Sequence, residues 1–273
     1  PRGGTFRYEF PLLVAGTFWY HPHIRSNRQI ELGLHAALIV RDPVEDAALA
    51  LPTREHVFVL DDVLLNADGQ IIEAFAGSKE TVALEALNGR EGNVTLFNGV
   101  LQPSVSMERG VPHRIRVINV ANARVMRMSV PGHSFWRIGG DQGLLEQPIE
   151  VPPAFDGGSS SDTHANTGLF LTPGERADVI FVPTGLSSLL FQWHDTRRGR
   201  QSVEFSSDGA TVTLGYDLPD GTLPWLVYAQ IDLFGENEPT WTPPARLRNI
   251  QRIDTTGAPV LQLVVGHTLP DWN

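Results

Sequence analysis

Residues 16–24 read GTFWYHPHI, an aromatic run that ends in two histidines one residue apart. Side chains two apart on a strand project from the same face, so we expect His21 and His23 to place their imidazoles side by side, with Cα atoms roughly 6.5 Å apart. Pro22 has no N–H group to give to a sheet, which favours a strand edge or a bend at this point. The stretch therefore predicts an edge strand that carries two neighbouring imidazoles.

Two neutral imidazoles that face one way suit copper, zinc, iron or nickel, and the pair does not choose among these metals. Two ligands are also too few to hold a metal tightly, so further ligands must come from elsewhere. An H-x-H pair is, on spacing alone, more often incidental than metal-binding. Six further histidines are isolated along the chain and are expected to be structural or surface residues: His35, His56, His113, His133, His164 and His267. His194 ends a stretch similar to the one before His21, which makes it a stronger candidate, but it lacks a second histidine two residues on.

Composition excludes several classes of protein. The chain has 273 residues, 41% of them hydrophobic, which is enough to bury a sizeable core. Its 31 acidic residues outnumber 21 scattered basic ones, for a net charge of -10, which argues against nucleic acid and anionic membranes as partners. The apolar runs are far shorter than the roughly 20 residues of a membrane helix. Cysteine is absent, which excludes a disulfide, a zinc–thiolate site or a thiol nucleophile within this chain.

Short apolar bursts alternate with turn residues along most of the chain, which is typical of many short strands. The Asp68-Gly69 pair suits a tight hairpin turn. Residues 79–87, KETVALEAL, form the best helical candidate, although a loop crossing is equally compatible with them. Two stretches that contain proline and turn residues, 41–55 and about 218–250, are predicted to be connectors. The sequence therefore predicts an all-β architecture of the sandwich type.

An internal repeat relates residues 3–23 to residues 173–196. Each copy runs from a glycine turn through an alternating strand to an aromatic strand that ends in histidine, at His21 and at His194. The first copy ends in His-Pro-His and the second in His-Asp-Thr. This pattern predicts two related sandwich domains in tandem, the first without its front half. Since the chain also starts without methionine or a secretory signal, we expect further polypeptide upstream.

The motifs taken in order resemble those of a known family. Residues 16–43, GTFWYHPHIRSNRQIELGLHAALIVRDP, resemble the second histidine motif of the laccase-like multicopper oxidases, in which an aromatic strand ends in W-Y-H-x-H. Residues 96–143 and 169–183 resemble the second cupredoxin domain of that family, with its N-G turn, R-x-R-x-x-N strand, G-H loop and P-G-E-R-x-D signature. The likeness extends over nearly all of residues 1–217.

The resemblance implies a cupredoxin-like Greek-key β-sandwich, repeated in tandem as in the three-domain members of the family. The boundaries expected from it describe one complete domain with partial domains on either side. They are the C-terminal half of cupredoxin domain 1 at residues 1–43, a linker at 44–55, a copper-free domain 2 at 56–217, a linker at 218–253, and the first strand of domain 3 at 254–273.

The resemblance also implies a role for the histidine pair. In the family these two histidines ligate the paired type 3 coppers of a trinuclear cluster, one to each ion, and the carried-over residues are His21 and His23. The parent enzyme would oxidise a reducing substrate one electron at a time and reduce dioxygen to water. The family motifs H-W-H-G, H-x-x-H-x-H and H-C-H are absent, and without cysteine no type 1 copper site forms. We therefore expect a fragment that is inactive by itself.

Partners and location follow from the same resemblance. They would be dioxygen, a reducing substrate and the N- and C-terminal segments of the same polypeptide, and we also expect self-association through unpaired strand edges. Family members are frequently exported. Two alternatives remain open: a copper-free cupredoxin protein with a structural role, and a copper-binding or copper-delivery module whose H-P-H pair acts alone or across a subunit interface.

Overall fold

The computed structural model describes residues 3–75, 77–153, 168–185, 189–194, 200–205, 212–217 and 225–250. Within these ranges the chain forms fifteen strands and three helices, as the all-β prediction requires. The helices are α1 Ser26–Glu31, α2 Pro43–Ala48 and α3 Lys79–Asn88. The strands are β1 Gly16–Tyr20, β2 Ala36–Val40, β3 Glu55–Val63, β4 Val94–Phe97, β5 Ser104–Glu108, β6 His113–Asn119, β7 Met126–Ser129, β8 Phe135–Gly140, β9 Gly143–Val151, β10 Leu169–Leu171, β11 Arg176–Phe181, β12 Leu189–His194, β13 Arg200–Phe205, β14 Val212–Asp217 and β15 Trp225–Phe234.

Two large sheets form a sandwich. One has six strands in the order β4-β3-β6-β11-β8-β9, and the other has five in the order β10-β7-β12-β15-β5. The β3–β6 and β5–β15 pairs are parallel, and the remaining pairs are antiparallel. Strands β1 and β2 form a separate two-stranded sheet, as do β13 and β14. The fold class expected from the sequence is thus confirmed.

The main core lies between the two large sheets. Ile115 and Val117 of β6 and Val179 of β11 are fully buried there and pack with residues of the opposite sheet, such as Met126 and Ile231. Because side chains alternate along a strand, the neighbouring residues of β6 and β11 point to the outer face of the six-stranded sheet. That outer face is also buried, because other parts of the chain cover it.

A smaller apolar cluster covers part of this outer face. Ile138 and Ile180 contribute from β8 and β11, while Leu51 and Leu247 come from the stretches predicted to be connectors. Trp241 packs against the same cluster. The predicted connectors therefore bury apolar side chains against the sheet and shield this part of its outer face from solvent.

The linker prediction for residues 218–253 is wrong where β15 lies. Strand β15, Trp225–Phe234, pairs with β12 and with β5 inside the five-stranded sheet. The flanking prolines suggested a connector, but the stretch WLVYAQIDLF carries apolar side chains that the core needs, among them Tyr228 and Ile231. The linker at 44–55 likewise contains most of α2 and the buried Leu51, and β3 already begins at Glu55. Residues 254–273, predicted to open a third domain, lie outside the described residues.

The internal repeat is only partly reproduced. Its second copy forms β11 and β12, but in the first copy the alternating stretch before β1 forms no strand. Residues 4–15 form no helix or strand and are mostly exposed, and no strand of the described chain pairs with them. Residues 195–196, the end of the second copy, are outside the described ranges.

Two local predictions are confirmed. The helical candidate is helix α3, which begins after Ser78, whose hydroxyl accepts a hydrogen bond from the Thr81 N–H. At the predicted hairpin turn, the Gly69 N–H donates to the Asn66 carbonyl at 3.0 Å, and Gly69 has the positive φ of 74° that such a turn needs. Helices α1 and α2, six residues each, had no sequence prediction.

His56 and His113, which are isolated along the sequence, lie together in the fold. Register between the parallel strands β3 and β6 brings the two rings together, with His56 Nε2 2.9 Å from His113 Nδ1. Burial lowers the pKa of both imidazoles, and the charge of His113 lowers the pKa of His56 further, to about 4. Both rings are therefore neutral at pH 7, and in the hydrogen bond between them one nitrogen donates and the other accepts.

We expect the free energy of unfolding to fall as the pH falls from 6.5 towards about 4. In that window the unfolded chain binds protons at His56 and His113 more readily than the folded chain does, so acid favours unfolding. Urea unfolding monitored by circular dichroism at pH 7 and pH 5 measures the effect. His56→Gln keeps a polar side chain that does not titrate, and should show a smaller loss over the same interval. An identical loss in both proteins would contradict this assignment.

Candidate metal centre

The histidine pair follows a short edge strand. Strand β1 pairs antiparallel with β2, and the last pair of this ladder is Tyr20 with Ala36. His21, Pro22 and His23 lie just beyond it, in the loop that leads to α1. The expectation that both histidines lie on the strand is therefore wrong, because the ladder stops before Pro22, which has no N–H group to continue it. The bend expected at Pro22 is the feature that the structure shows.

The two imidazoles nevertheless lie side by side. Their ring centroids are 4.8 Å apart and their planes are inclined at 22°, so the rings of His21 and His23 are stacked. The indole of Trp19 also stacks on His21, with the two ring centroids 4.3 Å apart. Trp19, His21 and His23 thus form an aromatic column. His21 Nδ1 is 3.2 Å from the Pro22 carbonyl oxygen, which suits a proton on Nδ1 and leaves Nε2 as the ligating nitrogen.

Ring stacking restricts how this pair can bind metal. The lone pair of an imidazole lies in the ring plane, and a bound ion sits about 2.0 Å from the nitrogen. Two stacked planes inclined at only 22° do not converge within that distance, so one ion cannot lie in both planes. Two neighbouring ions can each take one imidazole. The donor set of His21 and His23 thus fits a pair of ions that favour imidazole, copper among them.

The described residues supply no more than these two ligands to such a pair of ions. No group of three or more His, Cys, Asp or Glu side chains that could hold a metal occurs in the described part of the chain. His35, which follows α1, lies with Nε2 3.4 Å from a carboxylate oxygen of Asp61, and is therefore engaged with β3 of the six-stranded sheet instead. A complete site on this loop needs ligands from other residues.

Strand β1 is anchored to the outer face of the six-stranded sheet through Thr17. This residue is fully buried, its hydroxyl accepts a hydrogen bond from Arg116 Nη1 at 3.0 Å, and its carbonyl accepts one from Arg176 Nε at 3.0 Å. Both arginines belong to the six-stranded sheet, on β6 and β11. The strand that leads to the histidines is thus fixed by two charge-assisted hydrogen bonds.

These anchors are part of a buried ionic cluster. Arg114 makes a two-pronged contact with Asp178, through Nε to Oδ1 at 3.0 Å and Nη2 to Oδ2 at 2.6 Å, and Arg116 Nη1 reaches the same carboxylate at 3.2 Å. Asp46 of α2 pairs with Arg114 and Glu55 of β3 pairs with Arg116, and Glu55 is also paired with Arg41. Burial lowers the pKa of Arg114, but the hydrogen bonds and charge of Asp178 outweigh it and raise the pKa above its ordinary value.

The Pro-Gly-Glu-Arg turn lies beside the aromatic column. Gly174 has a φ of 81°, and a Cβ placed on it would lie 3.7 Å from Cζ2 of Trp19, which is an ordinary van der Waals distance. One edge of the indole therefore lies next to the turn, while its face stacks on His21. The sequence marked this turn only as a family signature, so its contact with Trp19 could not be deduced from the chain.

The helix after the histidines is anchored as well. Glu31 at the end of α1 is buried, and its carboxylate accepts hydrogen bonds from the Leu64 N–H at 3.0 Å and Asn122 Nδ2 at 2.8 Å. Arg90 pairs with the same carboxylate at 2.8 Å. The histidine loop is therefore held on both sides, by Thr17 before it and by Glu31 after it.

A further described histidine, His133, has a structural role. His133 Nδ1 lies 2.8 Å from the Pro131 carbonyl and its Nε2 lies 2.9 Å from the Thr184 hydroxyl, which is a structural role, as expected. His194 ends β12, where its backbone pairs with Trp225. His164 and His267 lie outside the described residues.

Comparisons with known proteins bear on these residues. Two family models, each described as multicopper oxidase, match residues 1–45 and 54–188. Among curated proteins, the cell division protein FtsP of Photorhabdus laumondii is 31% identical over 169 residues, which are 61% of this chain and 31% of that protein. Laccase-2 of Thanatephorus cucumeris is 30% identical over 168 residues, covering 57% of this chain and 27% of the laccase.

Solved structures give the same fold. A multicopper oxidase of Campylobacter jejuni superposes with a TM-score of 0.59 at 26% identity, covering 90% of this chain and 43% of that one. The McoA multicopper oxidase of Aquifex aeolicus gives a TM-score of 0.64 at 22% identity, covering 90% and 47%. The chain thus spans about a third of the length of these curated relatives and less than half of the length of the solved structures.

Asp178→Asn should lower the free energy of unfolding by about 3–5 kcal/mol, because it leaves two buried guanidinium groups without their shared carboxylate. Urea unfolding measures this loss. The control is Arg246→Ala, which removes a half-exposed ion pair with Glu146 and should cost less than about 1 kcal/mol. Equal, small losses in both variants would show that the cluster does not anchor the sheet.

Trp19→Leu should shift the NMR signals of the His21 ring protons downfield, because the leucine side chain has no ring current to shield a stacked imidazole. Trp19→Phe retains an aromatic face and should keep most of the shielding. The control is Trp136→Leu, which removes an indole that packs against Trp241 in the smaller apolar cluster. Unchanged His21 signals in Trp19→Leu would contradict the stacked arrangement.

Proposed function

Because this chain belongs to the multicopper oxidase family, we propose that it is part of a laccase-like oxidase in which His21 and His23 each ligate one ion of a type 3 copper pair. The observation that carries this proposal is the stacking of the two imidazoles, with ring planes inclined at 22°. This geometry suits one nitrogen for each of two ions. It disfavours the chelation of a single ion by the pair.

Bound copper would supply the one-electron redox chemistry by which a reducing substrate is oxidised and dioxygen is reduced to water. The residues of this chain hold and orient the ligands. The contact of His21 Nδ1 with the Pro22 carbonyl directs Nε2 outward, and Trp19 covers one face of the ring. A ligating imidazole whose other nitrogen is hydrogen-bonded keeps its orientation and tautomer, and is a more basic ligand.

The remaining parts of the proposed enzyme come from outside this chain. A type 1 copper site needs a thiolate, and the chain has no cysteine. The other ligands of a trinuclear cluster, and the reducing substrate's surface, would lie on further segments of a longer polypeptide, so the 273 residues alone would be inactive. By analogy with the family, the oxidase would be exported. No helix in the described part of the chain has the length and apolar character needed to cross a membrane.

A second candidate is a copper-free structural role in cell division. The observation that favours it is the similarity to the cell division protein FtsP, at 31% identity over 169 residues. In that role His21 and His23 would be packing residues, and their replacement would leave function unchanged. A copper-delivery module, in which the pair acts alone on one ion, has less support because the stacked rings do not share a binding position.

Intact mass and copper content of the purified protein, with dioxygen consumption measured alongside, separate these candidates. If the proposal holds, copper is bound by a polypeptide heavier than 30.0 kDa, and His21→Ala or His23→Ala in it lowers dioxygen consumption by at least about 100-fold. The control is His133→Ala, which removes a histidine engaged with Thr184 and should leave the activity in place. Copper-free protein that keeps its cellular role in both histidine variants would favour the structural candidate.

A further inference from the structure

The Asn98-Gly99 pair forms the turn at the end of strand β4. The Val100 N–H donates to the Phe97 carbonyl at 3.0 Å, which closes a turn of two residues. Both of these residues have positive φ, 51° for Asn98 and 76° for Gly99, the conformation for which Asn-Gly pairs are favoured in tight turns. The turn follows the last residue pair of the β3–β4 ladder.

The side chain of Asn98 extends this ladder beyond β4. Strand β4 pairs with β3 only from Leu60 to Val63. In the preceding part of β3, the Val59 N–H donates to Asn98 Oδ1 at 2.7 Å, and Asn98 Nδ2 donates to the Val57 carbonyl at 3.1 Å. The side-chain amide thus takes the place of a peptide group of a neighbouring strand. It covers backbone groups of β3 that would otherwise form an open sheet edge.

An Asn-Gly pair is also a site of chemical reactivity. The backbone nitrogen of Gly99 can attack Cγ of Asn98, because glycine has no side chain to hinder the approach. A bond forms between that nitrogen and Cγ, the Cγ–Nδ2 bond breaks, and Nδ2 leaves as ammonia with the proton of the Gly99 N–H. Water then opens the five-membered imide to aspartate or isoaspartate at position 98. The reaction needs no reactant other than water.

The hydrogen bonds to β3 oppose this reaction in the folded chain. Attack makes Cγ tetrahedral and turns its oxygen and nitrogen away from β3, where both atoms are held by Val59 and Val57. Crowding at Gly99 is not the obstacle, since a Cβ placed on it would have no described atom within 4 Å. The rate of reaction therefore depends on how often this end of the β3–β4 pair opens.

We propose that Asn98 is a site of spontaneous deamidation that reacts only when the end of the β3–β4 pair opens, and that the product keeps this end open. A carboxylate at position 98 has no N–H group to donate to the Val57 carbonyl, and sets its negative charge against that oxygen. Isoaspartate also lengthens the backbone by one methylene, which disrupts the two-residue turn. A transient opening thus becomes a permanent loss of cover on β3.

Peptide mass spectrometry of the 273-residue chain, incubated at pH 7 in buffer and in urea, tests the site. Conversion of Asn98 should be at least about tenfold slower in buffer than in urea, because two hydrogen bonds must break before the folded chain reacts. In urea, the rate at Asn98 should match the rate at Asn88, which is also followed by glycine.

Asn93 is a matched control within the same chain. Its amide makes a similar pair of hydrogen bonds, from the Leu65 N–H to Oδ1 and from Nδ2 to the Leu65 carbonyl, both at 2.9 Å. Val94 follows it, and the branched side chain of valine hinders attack by the backbone nitrogen. Asn93 should therefore stay unmodified in urea as well as in buffer.

The variant Asn98→Asp tests the effect of the product, because it carries the carboxylate without the longer backbone. Amide hydrogen exchange of residues 57–60 should be about tenfold faster in this variant, while exchange of β11, inside the same sheet, stays unchanged. Equal conversion of Asn98 in buffer and in urea would overturn control by the sheet, and no conversion in urea would overturn the site itself. Unchanged exchange in Asn98→Asp would overturn the lasting effect of the product.

Discussion

The buried contact of Arg114 and Arg116 with Asp178 is the constraint on which the rest of the structure depends. These charged side chains lie on the outer face of the six-stranded sheet, and their burial is tolerable only if every charge has a partner and water is excluded. Thr17 of β1 and Asp46 of α2 supply part of that cover and part of the partners. Strand β1 and helix α2 are therefore held against the outer face of the six-stranded sheet, because they supply partners for its buried charges.

The same constraint positions the histidine pair. Thr17 is fixed by Arg116 and Arg176, and two residues later Trp19 lies against Gly174 and stacks on His21. The loop is then anchored again by Glu31. The ligands of the proposed copper pair are thus positioned by a sheet that itself contributes no metal ligand. In the proposed enzyme the sandwich would thus be the support on which the ligand-bearing loop rests.

The histidine loop and the residues before β1 carry exposed apolar surface. Tyr20 and Ile24, on either side of the histidines, are 61% and 78% exposed, and Phe6, Tyr8 and Phe10 before β1 are exposed as well. The base of the loop is therefore anchored by buried residues, while its tip is open.

The sequence by itself determined the all-β class, helix α3, the turn at Gly69 and the neighbouring imidazoles of His21 and His23. All of these follow from local periodicity, from the preferences of glycine and proline, and from residue spacing, which act over a few residues. Only the tertiary structure decided that β15 belongs to the sandwich, that His56 meets His113, and that Arg116 holds Thr17. These contacts join residues 57 to 126 positions apart, through strand pairing and burial that no local pattern specifies, because the same apolar or charged side chain suits several partners until the sheets have assembled.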